Sequence, residues 1–112
     1  MKIRVNRNNP AFSKIELSGD LDFHTSPQVR QEFLKLAEDG AKKILIDLEK
    51  VGYIDSSGLA TFVELFQKLR RSGGQLVLFN LMPAVQSVFE IAKLDTVFHL
   101  AKTEEEALSF VS

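Results

Sequence analysis

The sequence predicts an α/β fold: a mixed, mostly parallel sheet of about five strands with helices mainly on one face, in the order β-β-α-β-α-β-α-β-α. Three observations carry that prediction. Residues 2–6 and 12–18 both alternate apolar and polar side chains, and the turn residues Asn8, Asn9 and Pro10 lie between them, which reads as a hairpin. The later strand-like runs are separated by segments of helical spacing, which implies parallel pairing through right-handed crossovers. Residues 43–49 set Ile44, Ile46 and Leu48 on one face and Leu45, Asp47 and Glu49 on the other, so helices are expected to cover one side of the sheet.

The elements follow in order. Ile3 and Val5 point one way in the first strand and Lys2 and Arg4 the other; this strand is expected to run antiparallel at or near an edge. The second turns Ile15 and Leu17 inward and Lys14 and Glu16 outward, and Gly19-Asp20-Leu21-Asp22 ends it. Thr25 or Ser26 is suited to cap the first helix, with Pro27 at its first position. Val29, Phe33, Leu34, Leu36 and Ala37 form its stripe and Gly40 stops it. After the strand at 43–49, residues 57–72 read as the second helix, with the stripe Leu59, Phe62, Phe66 and Leu69. Its last turn carries Lys68, Arg70 and Arg71, where cations suit the helix dipole, and Gly73-Gly74 ends it. Residues 75–80 hold the apolar run Leu76-Val77-Leu78-Phe79 of a buried strand. Pro83 opens a third helix with Val85, Val88, Phe89 and Ala92, and a short last strand is expected at 96–100. Thr103-Glu104-Glu105-Glu106 is a capping box leading into a final helix with Ala107, Leu108 and Val111.

Composition narrows the function classes. The 112 residues are 45% hydrophobic, nine of them Phe, and 26% charged, enough to build one core; a single domain over 1–112 is expected. Lys and Arg number 14 against 15 Asp and Glu, a net charge of −1, which lacks the basic excess of a general nucleic-acid binder. Cysteine is absent, which removes disulfides, thiolate nucleophiles and cysteine-bound zinc. No apolar run approaches the ~20 residues of a membrane span, and the first residues lack the pattern of a signal peptide. The expectation is a cytoplasmic protein without nucleic-acid or membrane partners.

Sites in open α/β sheets lie beyond the carboxyl ends of the strands. Two segments are expected to meet there: residues 19–26 and Ile54-Asp55-Ser56-Ser57-Gly58-Leu59. Asp55, Ser56 and Ser57 all suit a helix cap, and Gly58 suits a tight turn. The same arrangement also suits an exposed seryl hydroxyl presented to another protein.

Tyr53-Ile54-Asp55-Ser56-Ser57-Gly58-Leu59 resembles the phosphorylation segment of bacterial anti-sigma factor antagonists, the small single-domain members of the STAS (sulphate transporter and anti-sigma antagonist) superfamily. Gly19-Asp20-Leu21-Asp22 followed by Ser26-Pro27 is similar to that family's Gly-acid-Leu-Asp segment and helix start. Ile46-Asp47-Leu48 stands upstream of the serines as the family places it, and Pro83-Ala84-Val85, Phe89 and Leu94-Asp95-Thr96-Val97-Phe98 resemble its third helix and last strand. The likeness covers nearly the whole chain. Two positions depart from it: Ala60 stands where a second Gly is frequent, and Ala92-Lys93 where Gly is common.

The resemblance implies that Ser56 is the phosphate acceptor, with Asp55 shaping the loop and Ser57 as a neighbouring cap. It places Asp22, Phe23, His24, Thr25, Ser57, Gly58 and Leu59 with Asp55 on a partner-binding and switch surface. It further implies partner switching. The unphosphorylated form binds an anti-sigma factor with serine kinase activity and releases a sigma factor, phosphorylation ends that binding, and a serine phosphatase restores it. No catalysis, cofactor or metal is implied, and the free protein is expected to be a monomer.

Other readings fit the residues less well. A serine hydrolase would need a Gly-x-Ser-x-Gly elbow and a base in reach, and the chain offers only His24 and His99. An aspartate-phosphorylated receiver-like domain would use Asp20, Asp22 and Asp55, but no lysine stands in the last strand. Gly73-Gly74 is a helix terminator rather than a phosphate cradle. Within the same superfamily, the alternative is a STAS subunit of a lipid-transport or sensory complex without a phospho-switch.

Overall fold

The computed structural model describes residues 1–111. Its elements are β1 (Lys2–Asn6), β2 (Ser13–Ser18), α1 (Ser26–Glu38), β3 (Lys43–Lys50), α2 (Ser56–Arg71), β4 (Gln75–Phe79), α3 (Pro83–Ile91), β5 (His99–Ala101) and α4 (Glu104–Val111). The strands form one sheet in the order β1-β2-β3-β4-β5. β1 and β2 are the expected antiparallel hairpin, and the other pairings are parallel.

Register explains where the core sits. Val5 lies opposite Ile15, Ile15 opposite Ile46, Ile46 opposite Leu78 and Leu78 opposite Leu100, so one apolar row crosses the whole sheet. Val29, Phe33 and Leu36 of α1, Phe62, Leu65 and Leu69 of α2, and Val85 and Phe89 of α3 pack on this face. Five rings run through the layer in contact: Phe33–Phe62, Phe62–Phe89, Phe89–Phe98 and Phe98–Phe66, with centroids 5.3–5.9 Å apart. Burying each such side chain contributes roughly 1.5–3 kcal/mol, and the tilted and edge-on pairs suit the ring quadrupoles.

The opposite face is divided. Over β3, β4 and β5 the buried Leu45, Val77, Phe79 and Ala101 pack against Ala107 and Val111 of α4. Three helices therefore lie on one face and α4 on the other. Lys14 Nζ meets Glu104 Oε1 at 2.7 Å, and that hydrogen bond raises the lysine pKa against the opposing effect of desolvation. Lys43 Nζ donates to the Val111 carbonyl at 2.6 Å, satisfying an orphan acceptor at the end of α4. Thr103 caps the helix as expected, its Oγ1 accepting from Glu106 N–H at 3.1 Å. Towards β1, Arg4 and Glu16 remain on this face as a loose pair at 4.0 Å.

Helices α1, α2 and α3 end in one motif. In each, the N–H of the second residue beyond the C-cap bonds back five residues: Ala41 to Leu36 O, Gly74 to Leu69 O and Leu94 to Phe89 O. The motif needs a left-handed residue before it, supplied by Gly40 (φ 89°), Gly73 (φ 78°) and, at the end of α3, Lys93 (φ 59°).

The last strand is shorter and later than the pattern implied. Residues 96–98 form a turn, with Val97 and Phe98 N–H both bonded to Leu94 O and Thr96 Oγ1 to Lys93 O, so the ladder begins only at His99. Among the described residues, no helix is long and apolar enough to cross a membrane.

Candidate functional site

The site forms where β2 and β3 run on past their regular ladder. The register shifts between Glu16 and Ser18, and Gly19 N–H then bonds to Lys50 O at 3.0 Å. Leu21 N–H donates to Tyr53 O at 2.9 Å and Asp55 N–H donates to Leu21 O at 3.1 Å, an isolated parallel bridge between Leu21 and Ile54. The two loops thus stay side by side until α2 begins. The buried side chains of Leu21, Val51 and Ile54 hold them to the core, while the Tyr53 ring between them is half exposed (52%).

Asp55 is the N-cap of α2. Its Oδ1 accepts from Gly58 N–H at 3.1 Å, and its Oδ2 accepts from Phe23 N–H, also at 3.1 Å, across the two loops. Both oxygens are therefore used, one to start the helix and one to hold the neighbouring loop. This corrects the expected role of Ser57: it is the second residue of the helix rather than a cap, because the carboxylate already takes the amide a cap would serve. Ser57 is half buried, and its carbonyl accepts from Thr61 Oγ1 at 3.0 Å.

Ser56 is the first residue of α2 and is exposed. Its hydroxyl stands at the positive end of a 16-residue helix, where an anion is favoured. Gly58 is a second correction. It is buried, not presented to a partner, and a Cβ there would fall 2.8 Å from Ile54 Cγ1, 2.8 Å from Leu21 Cγ and 2.9 Å from Leu21 O. Its role is to let the start of α2 press onto the two loops. Leu59 is half buried against the core.

The other loop is organised by Asp22. Its Oδ1 accepts from His24 N–H at 2.9 Å and from Thr25 N–H at 3.1 Å, an Asx-turn. The Thr25 N–H is the main cause of an Asp22 pKa below the usual carboxylate range; desolvation opposes it, and the His24 N–H and Thr25 hydroxyl assist. Thr25 is the first cap position of α1 but makes no side-chain cap; its Oγ1 instead donates to Asp20 O at 2.8 Å. Ser26 Oγ donates to Asp22 O at 2.6 Å. Hydroxyls expected to cap α1 are thus spent on closing the turn; of the first helical positions, Ser26 N–H already bonds to Asp22 O at 2.8 Å, Pro27 has no N–H and Gln28 N–H bonds to Thr25 O at 3.2 Å.

Phe23 lies at the tip of this turn and is 72% exposed, with its ring edge-on to His24 at 5.8 Å. It borders a groove of about 510 Å³ between the first turns of α1 and α2, together with Pro27, Ser57 and Ala60. At the far end Arg30 and Glu64 form a two-pronged ion pair, Nε to Oε1 at 2.6 Å and NH2 to Oε2 at 2.8 Å. The expected residues Asp22, Phe23, His24, Thr25, Asp55 and Ser56 therefore converge on one surface. The Arg30–Glu64 pair was not foreseen, since residues 34 apart share no local pattern. His99 lies in β5 beside Phe110, in another part of the sheet.

The two joined loops, with an exposed hydroxyl at the start of α2 and an exposed Phe23 on the neighbouring turn, mark the candidate site of a small α/β domain. The chain belongs to the STAS domain family, whose model matches residues 2–107. It is 32% identical over 106 residues to an anti-sigma-B factor antagonist of Bacillus subtilis, covering 94% of this chain and 96% of that protein. Its fold is similar to the anti-sigma factor antagonist SpoIIAA in its unphosphorylated form, with 25% identity, TM-score 0.77, and 98% and 97% of the two chains covered. It is equally similar to SpoIIAA of Bacillus in the phosphorylated form, with 27% identity, TM-score 0.77, and 99% and 100% covered.

Proposed function

We propose that this chain is an anti-sigma factor antagonist that works by partner switching. Unphosphorylated, it binds an anti-sigma factor with serine kinase activity and so releases a sigma factor. Phosphorylation of Ser56 abolishes the complex, and a serine phosphatase restores it. The observation that carries this reading is Ser56 itself: exposed, first in α2, and next to Asp55, whose carboxylate binds the Phe23 amide of the loop that holds Asp22 and His24. The names of the relatives support the class of partner. The protein on this reading is a cytoplasmic, monomeric regulator without catalysis of its own, and its cycle needs no cofactor from this chain.

The physics of the switch follows from where the charge is added. A phosphate brings about −1.5 to −2 charges at neutral pH. At an exposed helix start it gains roughly 0.3–1 kcal/mol. A unit charge such as Asp55 opposes it by about 1 kcal/mol at ~4 Å in water, less with salt. Free, the protein tolerates the group; docked, with water excluded, an unpaired dianion costs several-fold more and the partner leaves.

The test is a reconstituted reaction with the purified anti-sigma kinase of the same organism and ATP. Ser56→Ala is expected to bind that partner and take up no phosphate, and Ser56→Asp to bind about tenfold more weakly or worse. Phosphate uptake by the alanine variant would remove the acceptor assignment.

A further inference from the structure

We propose that Asp55 is a positioning residue for partner binding: by accepting from Gly58 N–H and Phe23 N–H at once, it fixes the Phe23 backbone against the start of α2 and so presents the exposed Phe23 ring as the apolar anchor of the interface. The proposal rests on the partner-switching reading and names the residues that give the contact its strength. Phe23 is a large aromatic, 72% exposed, on a turn with no core function. Interface energy concentrates in such side chains when they are held in place before binding, because ordering a mobile aromatic loop on contact costs affinity. The turn is closed internally by Asp22, but Asp55 Oδ2 is the side-chain atom that ties Phe23 to the start of α2. The ring borders the same groove as Ser57, the residue next to Ser56, so a partner seated in that groove meets both the ring and the start of α2.

The two bonds of Asp55 can be separated. Asn at this position caps a helix as well as Asp does, with its carbonyl oxygen on Gly58 N–H. Its second atom is then an NH2 group, which cannot accept from Phe23 N–H. Asp55→Asn is therefore expected to keep its thermal midpoint and the exchange protection of the Gly58 amide. The Phe23 amide should exchange roughly tenfold faster, as befits the loss of one charge-assisted bond. Affinity of the unphosphorylated protein for the purified anti-sigma kinase should fall about tenfold. Phe23→Ala should lower it at least as much, and the double variant should lose little more than Phe23→Ala alone, since the two act through one ring.

An unchanged Phe23 exchange rate in Asp55→Asn overturns the positioning role. Additive losses in the double variant overturn the link to the anchor. Should the wild-type chain bind no anti-sigma kinase, the functional reading and the interface role fail together. The exchange measurement still decides whether Asp55 holds Phe23, so the two failures are told apart. Asp55→Ser, with one short oxygen that serves the cap alone, repeats the exchange experiment independently and is expected to agree with Asp55→Asn.

Discussion

At residue 58 the site depends on what is missing. The backbone oxygen of Leu21 would lie 2.9 Å from a Cβ, and that oxygen is committed to Asp55 N–H, so it cannot easily retreat. Gly58→Ala gains about 1 kcal/mol in helix propensity but incurs overpacking of roughly 1–3 kcal/mol. A net loss of stability is expected, read as a lower thermal midpoint together with shifted amide resonances at Leu21 and Phe23. At residue 22 the relevant variable is pH. The folded state lowers the Asp22 pKa, so its contribution is fully present above the ordinary carboxylate value. It is lost only as pH falls through the depressed value. In an acid titration followed by NMR, the His24 and Thr25 amides should therefore change at a lower pH than exposed carboxylates do, and in Asp22→Asn this step should vanish. Coincidence with the exposed carboxylates would show that the Asx-turn does not hold the charge.

Helix α3 shows how an element can carry a cost its neighbours avoid. Its C-terminal motif has the same two bonds as those of α1 and α2, Lys93 N–H to Glu90 O at 3.0 Å and Leu94 N–H to Phe89 O at 2.8 Å. It places a lysine at the left-handed position where the others use glycine. That conformation costs an L-residue roughly 1–2 kcal/mol, of which the greater flexibility of glycine in the unfolded chain returns about 0.4–1. Lys93→Gly is therefore expected to stabilise the protein by roughly 0.5–1 kcal/mol in denaturant melts. No gain would mean that the Lys93 side chain makes up the difference elsewhere. This position is one of two where the sequence departs from the glycine pattern of the family it resembles, and the backbone gives that departure a measurable consequence.

The molecule as a whole is expected to outlast its own modification. The five connected Phe rings and the sheet-wide apolar row lie in the core, whereas Ser56 is exposed at the start of α2, so a phosphate on it would stand in solvent. The phosphorylated protein should give an amide spectrum that matches the unmodified one away from residues near Ser56, while losing its partner. Global unfolding would contradict both. Much of this architecture was legible in the sequence: the alternation at residues 2–6 and 12–18, the turn between them and the helical stripes identified the chain order of the elements, the edge hairpin and the main helical layer. The start of β5 was not, because Val97 and Phe98 have the β-branched and aromatic side chains of a strand although Leu94 O captures both their amides. The place of α4 was obscured by β3, whose second face pairs a lone Leu45 with Asp47 and Glu49; only the unbroken apolar run of β4 signalled burial on both sides. In the site, the hydroxyl, the acids and the glycine were visible as a motif. The hold of Asp55 on Phe23 was not, since it joins residues 32 apart through a fold that local pattern does not contain.

One ring gives this surface a built-in optical label. The chain has no tryptophan and a single tyrosine, Tyr53, half exposed and three positions ahead of Ser56. Its tyrosine emission therefore originates beside Ser56 and at no other residue. Any binder that shields the mouth of α2 alters the quenching of that ring, so capture and release can be followed in real time with no dye attached.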